Sequence, residues 1–347
     1  MARRGEGWAS WVEALPSLAA GLLEEWQLRI DGASTNGYCS VVLPVVTAEG
    51  EHAVLKLAVD VDDESEFEHL ALQRWHGDGP VLLLRADPHR RAMLLERLHQ
   101  RDLGTVGDTE ACEIVAGLYS RIHVPALPQL RTVTSYVERW AADLAALPHD
   151  APIPRRMLEQ CLSLARDLVA DPASVGVIIH GDLHHHNVLA GDRQPWLVID
   201  PKPMSGDPHY EPAPMLWNRW EDIVAGNARD GIRRRFHTIV DVAGLDEDRA
   251  RDWVVVRMVL NASWAVIDGD PDEEWLTKCF TIAKAVQERA HRGLRPLTPG
   301  FDPTRTAPRC TSRRAGTGST TPTGWCTTTG GGTCSSSTTR TATTGPT

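Results

Sequence analysis

The chain has 347 residues, 42% of them hydrophobic, and a formal net charge of −10 at pH 7. This length is sufficient for two lobes with a sizeable core. The charge argues against a nucleic-acid-binding protein and suits a cationic small substrate. No apolar run reaches the length of a membrane span, and Arg3 and Arg4 are not followed by the apolar stretch of a secretory signal. We expect a cytoplasmic monomer that binds neither nucleic acid nor membrane, with its seven cysteines reduced.

The first predicted elements are one helix and two strands. Apolar residues recur at helical spacing from Trp8 to Trp26, and Pro16 predicts a kink in this helix. Leu28–Ile30 and Val41–Val46 then have the apolar composition of strands. We expect the helix to pack its apolar face against the first lobe.

The segment between these strands, Asp31–Gly37, is a candidate phosphate-binding loop. It contains Ser34, Asn36 and Gly37, which are small or polar. Small residues allow the backbone to approach a ligand closely, and successive N–H groups can bind an anion. An ordinary polar hairpin has the same composition, but this loop precedes a strand that carries Lys56, which favours phosphate binding.

That strand, Ala53–Ala58, sets Lys56 among apolar neighbours. An isolated lysine in a strand usually extends its amine to solvent. Here the pattern resembles the third strand of protein kinases, in which the lysine holds the α- and β-phosphates of ATP and pairs with a helix carboxylate. Lys56 is therefore a candidate ATP-binding residue.

The predicted helix Asp62–Trp75 offers the carboxylate that would pair with this lysine. Its acidic start suits the helix dipole. Glu68 shares a face with Leu72 and Trp75, at i+4 and i+7, and so points inward. We choose Glu68 as the partner of the lysine, with Glu66 as the alternative.

Two further strands and seven helices complete the predicted α+β fold. Val81–Leu84 and Met93–Leu95 complete a five-stranded antiparallel sheet in an N-terminal lobe of residues 1–98. A mainly helical C-terminal lobe follows over residues 99–302, and Pro201–Pro214 is a Pro-rich loop within it. The predicted helices are Asp108–His123, Thr132–Leu147, Pro154–Val169, Leu216–Ala225, Gly231–Val242, Asp246–Ile267 and Asp272–Arg292.

The segment Val177–Pro201 carries the clearest chemical pattern. Three apolar residues lead towards Asp182, Asn187 follows five positions later, and two short strands joined by a turn then lead to Asp200. Such a hairpin brings the three side chains to one end. Phosphoryl transfer needs this set, because a carboxylate must orient the attacking hydroxyl and accept its proton, while an Asn and an Asp hold Mg²⁺ on the phosphates.

This segment also carries a family resemblance. The run His180-Gly-Asp-Leu-His-x-x-Asn187 resembles the catalytic loop of the aminoglycoside phosphotransferase family, whose members are antibiotic kinases with the protein-kinase fold. The run from Trp196 to Arg219 is similar to the streptomycin 6-phosphotransferase and hydroxyurea phosphotransferase branch of that family. The similarity extends over most of the chain.

The resemblance implies a bilobal protein-kinase-like fold with ATP and Mg²⁺ as cofactors. Asp182 would be the catalytic residue, and Asn187 and Asp200 would be the metal ligands. Glu96 to Leu98 occupies the place of the family's hinge between the lobes. In that hinge, backbone N–H and C=O groups meet the adenine ring.

The acceptor implied by the branch is a hydroxyl of streptomycin, at the 6-position, with hydroxyurea as the alternative. Asp207, Glu211, Trp217 and Asn218 follow Asp200 closely enough to border an acceptor pocket. Carboxylates pair with guanidinium groups such as those of streptomycin, and aromatic faces attract cations. Each of these residues taken singly is more typical of a solvated acidic helix end.

Two other classes of protein compete with a kinase. The run His180-x-Asp182-x-His184 could belong to a metallohydrolase, but such a site needs further ligands on matched strand ends, and the remaining histidines show no such arrangement. A catalytically inactive nucleotide-binding module would have lost Lys56, Asp182 or a metal ligand. These residues are present, so we expect an active enzyme.

The composition changes after Phe301. Residues 303–347 contain no acidic residue and no lysine, and Thr, Gly and Ser dominate. Apolar residues are too sparse there to build a core. We predict a disordered tail, and an out-of-frame reading of GC-rich DNA would explain its composition.

Overall fold

An antiparallel sheet forms the N-terminal part of the protein. The structure, a computed structural model, describes residues 6–37, 39–59, 64–269 and 272–288, all of them within one compact unit. In chain order the strands are β1 (Arg29–Ile30), β2 (Thr35–Asn36), β3 (Ser40–Val46), β4 (His52–Ala58), β5 (Leu83–Asp87) and β6 (Ala92–Glu96). The order across the sheet is β1-β3-β4-β6-β5, and β2 also pairs with β3.

Five of these strands correspond to the five predicted ones, although β5 begins at Leu83 and ends at Asp87, later than the predicted Val81–Leu84, and the sheet has six strands. The sixth, β2, consists of two residues inside the predicted loop Asp31–Gly37 and pairs antiparallel with β3. A two-residue strand is too short to produce an alternating pattern, which explains why the sequence did not predict it. The pairing folds the loop back along β3, which is the neighbour of the strand that carries Lys56.

The two faces of strand β4 set the direction of Lys56. Leu55 and Leu57 are fully buried in an apolar cluster with Leu22 of helix α1 (Glu6–Glu25). Because successive side chains of a strand point to opposite faces, Lys56 points away from α1 and towards the other side of the sheet. This helix confirms the one predicted from the apolar residues at the start of the chain.

Helix α2 (Glu68–Trp75) begins later than predicted. The prediction placed its start at Asp62, but residues 64–67 form a bend and a turn, and residues 60–63 lie outside the described part of the chain. The physical reason is that Glu64 makes tertiary contacts. Its carboxylate accepts a hydrogen bond from the Tyr136 hydroxyl at 3.2 Å and lies 3.6 Å from Nζ of Lys202.

Helices dominate the rest of the described chain, as predicted. They are α3 (Asp108–Ile122), α4 (Val133–Ala145), α5 (Arg155–Ala170), α6 (Ala213–Trp217), α7 (Trp220–Val224), α8 (Ala228–Ala243), α9 (Glu247–Ile267) and α10 (Glu273–Gln287). Helix α9 lies at the centre of their core, because every residue from Trp253 to Ser263 is buried. It packs against α5 and α10.

Two small sheets carry the predicted catalytic segment. Strand β7 (Val177–Ile179) pairs with β10 (Met204–Gly206), and β8 (Val188–Leu189) pairs with β9 (Leu197–Val198). The β8–β9 hairpin confirms the one predicted between Asn187 and Asp200. Strand β10 lies in the region predicted to be a Pro-rich loop, where the surrounding prolines obscured its three residues.

The predicted helix Leu216–Ala225 is wrong in its extent. The structure has α6 and α7 there, separated at Asn218 and Arg219, and Arg219 adopts a left-handed φ of 51°. The guanidinium of Arg235 donates to the carbonyl oxygens of Met215 and Asn218 at 2.7 and 2.6 Å. These carbonyl groups are therefore satisfied without a continuing helix.

Some predictions fall outside the described residues. The predicted tail, residues 303–347, does so, as does the end of the last predicted helix after Glu288. The division of the chain into lobes at residue 98 stays a prediction. Within the part of the chain that the structure describes, no helix combines the length and the apolar character needed to cross a membrane.

Candidate active site

Lys56 lies at the centre of a buried ion-pair cluster. Its Nζ is 2.7 and 2.6 Å from the two carboxylate oxygens of Glu68, and 2.5 Å from Oδ1 of Asp200. Lys56 is 6% exposed and Glu68 is 1% exposed. Strand β4, helix α2 and the end of the β8–β9 hairpin thus each contribute one residue. The structure pairs the lysine with Glu68, the partner predicted ahead of Glu66.

The charged groups in this cluster shift one another's pKa. Burial alone would lower the pKa of Lys56, but Asp200 and Glu68 outweigh this effect and raise that pKa. The Lys56 ammonium in turn lowers the pKa of Asp200 to about 2. At neutral pH the lysine is therefore a cation and Asp200 an anion, which are the states that bind phosphate and a divalent cation respectively.

The segment from His180 to Asn187 holds Asp182 and Asn187 in one tight loop. Nδ2 of Asn187 donates to the carbonyl oxygen of Asp182 at 2.9 Å. The N–H of Asp182 donates to Nδ1 of His180 at 3.1 Å, so Nε2 of His180 carries the proton and donates to the carbonyl oxygen of Ile199 at 3.0 Å. His180 thus links the loop to the residue before Asp200.

Gly181 is required by close packing behind this loop. Its φ is 79°, and a Cβ at this position would lie 2.5 Å from the carbonyl oxygen of Lys202. The N–H of Lys202 donates to the carbonyl oxygen of His180 at 2.8 Å. The glycine of the His-Gly-Asp motif therefore allows the chain that follows Asp200 to pass directly behind Asp182.

Lys202 is a site residue that the sequence analysis missed. Its Nζ lies 3.0 Å from Oδ2 of Asp182 and 3.6 Å from Oε2 of Glu64. Burial alone would lower the pKa of Lys202, but Asp182 and Glu64 outweigh burial and raise it, so that the amine is charged. The signal available in the sequence was its position two residues after Asp200.

A cavity of about 390 Å³ lies beside Lys56 and has the size of a small-molecule site. The predicted nucleotide-site and metal-site residues that line it are Asn36, Gly37, Lys56, Glu68, Glu96, Leu98, Asn187 and Asp200. Ser34 is exposed and is not among the described residues of this lining. The carboxylate of Glu96 accepts hydrogen bonds from the N–H of Leu82 at 2.7 Å and from Arg193 at 2.6 Å. This side chain therefore binds other residues of the protein.

Two smaller cavities continue this one towards Asp182. The first, of about 130 Å³, shares Lys56 and Asp200 with the large cavity and is also lined by Lys202. The second, of about 100 Å³, is lined by Asp182. Among the described residues, Glu64 and Lys202 line both smaller cavities. The first small cavity therefore shares residues with both the large cavity and the cavity beside Asp182.

The cavity beside Asp182 has aromatic walls, contributed by Tyr136, Tyr210, Trp217 and Trp264. The rings of Tyr136 and Trp264 meet edge to face with 6.0 Å between their centroids. The guanidinium of Arg257 lies 4.4 Å over the ring of Tyr210 and 5.1 Å over that of Trp217. The guanidinium of Arg131 likewise lies 5.0 Å over the ring of Tyr136, so protein cations already lie over a face of three of these rings.

Comparison with known proteins identifies the family of this chain. Residues 25–269 match the model of the family described as aminoglycoside/hydroxyurea antibiotic resistance kinase. The chain belongs to this kinase family. A streptomycin 6-kinase from Streptomyces glaucescens is 42% identical over 275 residues, which cover 76% of this chain and 87% of the relative. A hydroxyurea phosphotransferase from Kitasatospora aureofaciens is 39% identical and is covered to 77%, as is this chain.

Solved structures confirm the predicted protein-kinase-like α+β fold of this kinase. A thermostable mutant of an aminoglycoside phosphotransferase, in ternary complex with ADP and hygromycin B, aligns with a TM-score of 0.56 at 18% identity, over 79% of this chain and 100% of that chain. The choline kinase of Streptococcus pneumoniae aligns with a TM-score of 0.55 at 11% identity, over 79% and 99% of the chains. At these identities the alignments support the fold alone.

Asp207 and Glu211 do not lie where the sequence analysis placed them in this kinase. They are 1% and 0% exposed. Asp207 accepts hydrogen bonds from Arg249 at 2.5 Å and from the Trp253 indole at 2.6 Å, and Glu211 accepts one from the N–H of His180. Nearness in sequence to Asp200 gave no information on direction. Both carboxylates point into the protein, where Asp207 binds α9 and Glu211 binds the segment that begins at His180.

The other two predicted acceptor residues, Trp217 and Asn218, differ in their positions. Trp217 lines the cavity beside Asp182, as expected for an acceptor residue. Asn218 is not among the described residues of that lining, because its Oδ1 lies 3.0 Å from Nδ1 of His185 in the catalytic loop. The sequence analysis did not identify Arg257, which lies over Trp217 and also donates to the carbonyl oxygen of Gly181.

This placement predicts a stability effect for Asp207. We expect Asp207→Asn to lower the free energy of unfolding of the kinase by about 2–3 kcal/mol, because it removes a charge from a buried hydrogen-bonded network. The folded fraction should keep the wild-type KM for its acceptor. Urea unfolding and steady-state kinetics measure the two quantities, and Asp192→Asn is the matched control because Asp192 is 95% exposed. A raised acceptor KM at unchanged stability would show that Asp207 belongs to the acceptor pocket.

The histidines of the catalytic loop do not form the metal site of the alternative interpretation. Both ring nitrogens of His180 are engaged with the backbone, and Nδ1 of His184 accepts the N–H of His186 at 3.2 Å. Nδ1 of His186 lies 2.6 Å from Oδ2 of Asp102. Within the described ranges, no three His, Cys, Asp or Glu side chains are grouped to hold a metal ion. The described part of the kinase therefore contains no metal centre of the kind that a metallohydrolase needs.

Two of these histidines predict a pH dependence of stability. Burial lowers the pKa of His184 to about 4 and that of His185 to about 3. Below their unfolded pKa of about 6.5, the unfolded chain binds protons that the folded chain rejects, so stability is full above pH 6.5 and falls as the pH drops towards 4. Each histidine contributes at most about 1.4 kcal/mol per pH unit.

The test compares the free energy of unfolding in urea of the wild type and His185→Gln from about pH 7.5 to about pH 4.5. We expect the variant to lose less stability on acidification, because one of the imidazoles whose pKa is lowered by burial is gone. Parallel pH profiles for the two proteins would show that His185 is protonated equally in the folded and unfolded states.

Proposed function

We propose that this kinase transfers the γ-phosphate of ATP to the 6-hydroxyl of streptomycin. The observation that carries the proposal is the position of Asp182, beside an aromatic cavity that continues from the large cavity past Lys56 and Lys202. Streptomycin 6-kinases of Streptomyces glaucescens and Streptomyces griseus are 42% and 40% identical to this chain over 275 residues, which supports the same acceptor.

In this proposal Asp182 orients the acceptor hydroxyl and accepts its proton. The hydroxyl oxygen forms a bond to the γ-phosphorus as the bond from that phosphorus to the bridging oxygen breaks, and the bonding electrons leave with ADP. Lys56 holds the α- and β-phosphates and is itself held by Glu68 at 2.6 Å. Most of the catalysis comes from positioning and from charge stabilisation, because the transition state of phosphoryl transfer is loose.

Asn187 and Asp200 fit the Mg²⁺ that a kinase of this family needs. The amide nitrogen of Asn187 is fixed on the carbonyl oxygen of Asp182, which leaves its amide oxygen to coordinate a cation. Asp200 is ionised, its side chain is 47% exposed, and it lines the same cavity as Asn187. Oxygen ligands of this kind suit Mg²⁺, which neutralises charge on the phosphates when it is bound.

Hydroxyurea is the second candidate acceptor, since a hydroxyurea phosphotransferase is 39% identical. The walls of the cavity beside Asp182 favour streptomycin. Tyr136, Trp217 and Trp264 line this cavity, with Arg131 over Tyr136 and Arg257 over Trp217, and Glu64 offers a carboxylate. Guanidinium groups gain cation–π contacts and charge-assisted hydrogen bonds from such walls, and neutral hydroxyurea gains neither.

The test is a transfer assay with purified enzyme and γ-labelled ATP against streptomycin, kanamycin, viomycin and hydroxyurea. We expect kcat/KM for streptomycin to exceed that for each of the others by about 100-fold or more, because the walls discriminate by charge and shape. Cells that express the protein should grow in streptomycin and stay sensitive to kanamycin. A higher kcat/KM for hydroxyurea than for streptomycin would instead show that the enzyme is a hydroxyurea phosphotransferase.

A further inference from the structure

Lys202 lies between the two halves of the site. It belongs to the turn between Asp200 and β10, and its backbone N–H is fixed on the carbonyl oxygen of His180 at 2.8 Å. Its side chain is 31% exposed, and the amine contacts the carboxylates of Asp182 and Glu64. The ammonium group is therefore held in place by a rigid backbone and two anions before any ligand arrives.

The cavities place this ammonium group on the path of the transferred group. The cavity of about 130 Å³ carries Lys56 and Asp200 at one end, where it adjoins the nucleotide cavity. Lys202 and Glu64 line this cavity and also the one that contains Asp182. Lys202 therefore lies between the cavity that carries Lys56 and Asp200 and the cavity that contains Asp182, where a phosphoryl group in transfer to a hydroxyl beside Asp182 would be placed.

We propose that Lys202 is a catalytic residue that contacts the γ-phosphoryl group during transfer. Its ammonium stabilises the negative charge of the three equatorial oxygens while the bond to the bridging oxygen breaks and the bond to the acceptor oxygen forms. The proton of the acceptor goes to Asp182, which Lys202 holds in position at 3.0 Å. Lys56 would serve the donor side of the phosphate chain and Lys202 the acceptor side. This inference rests on the proposed kinase reaction, but not on the identity of the acceptor.

The first test measures binding of a mimic of the transferred group. Calorimetry gives the dissociation constant of Mg·ADP with and without aluminium fluoride, in the absence of any acceptor. We expect aluminium fluoride to tighten binding to the wild type by about tenfold or more, as is usual for transition-state mimics. Lys202→Met should lose most of that gain while its affinity for Mg·ADP alone stays within about twofold. Lys284→Met is the matched control, because Lys284 is exposed on α10.

A purely structural role for Lys202 predicts a different result. In that case Lys202→Met keeps the wild-type gain from aluminium fluoride, and the proposal is wrong. A wild-type protein with no gain at all would also refute it, since the path would then not bind the transferring group. A wild type that shows the gain and does not phosphorylate streptomycin would refute only the proposed acceptor.

The second test separates kcat from KM in the variants. We expect Lys202→Met to lower kcat by about 10²–10³-fold with little change in the KM for ATP, because the contact forms in the transition state. Lys202→Arg keeps the charge and should recover part of that loss. Thermal melting of both variants shows whether they fold. Equal kcat values for a folded Lys202→Met and the wild type would overturn the assignment.

Discussion

Replacement of Asp182 by asparagine is expected to lower turnover by about 10³-fold while the protein still folds and binds ATP. Asparagine has nearly the same shape, and the hydrogen bond from Asn187 uses the main-chain carbonyl at this position, so the loop is kept. The neutral amide cannot accept the proton of the acceptor hydroxyl. It also loses the ion pair with Lys202 at 3.0 Å.

Single-turnover kinetics with ATP and streptomycin measure this effect, and calorimetry reports ATP binding. The matched control is Asp192→Asn, which makes the same chemical change at an exposed aspartate between β8 and β9. That control should behave as the wild type. Turnover of Asp182→Asn within about fivefold of the wild type would remove Asp182 from the mechanism, because general-base and orienting roles contribute far more than that.

Replacement of Asp200 by alanine is expected to affect both nucleotide binding and turnover. Lys56 keeps its contacts with Glu68 at 2.7 and 2.6 Å, so the variant should fold. It loses the carboxylate that fits Mg²⁺, and we expect turnover to fall by about 10²–10³-fold, in line with the loss of one charged group that stabilises the transition state.

The decisive comparison for Asp200 is ATP binding with Mg²⁺ against binding in EDTA. The wild type should bind ATP more tightly with Mg²⁺, and Asp200→Ala should lose most of this difference. Asp192→Ala provides the control for a lost surface carboxylate. If the Mg²⁺ dependence of the variant equals that of the wild type, the metal is held by other residues.

The parts of the site that could be predicted from the sequence are those fixed by local spacing. Asp182 and Asn187 lie on one loop, and the β8–β9 hairpin brings Asp200 back to its end. Lys56 and Glu68 could be paired because the strand period and the helix period each fixed the direction of one side chain. The four longer strands of the sheet, β3 to β6, and most helices followed from the same periodicities.

The parts that could not be predicted depend on tertiary contacts. Helix α2 begins later than predicted because Glu64 binds Tyr136 and Lys202, which are distant in the sequence. Asp207 and Glu211 were assigned to the acceptor on proximity alone, yet a short turn after β10 directs them into the core. The aromatic walls carry no local pattern, because residues from several elements meet only in the folded protein. The position of Lys202 two residues after Asp200 did not reveal its contact with Asp182.

The most direct test of the central claim is the position of the phosphate in the product. Phosphorus and proton NMR of streptomycin incubated with the enzyme, ATP and Mg²⁺ locate the phosphorylated carbon from phosphorus–proton coupling. The proposed reaction predicts a single phosphate ester at the 6-hydroxyl of the streptidine ring, formed in step with ADP. A phosphate on another hydroxyl would contradict the proposed orientation beside Asp182, and ADP with only free phosphate would contradict streptomycin as the acceptor.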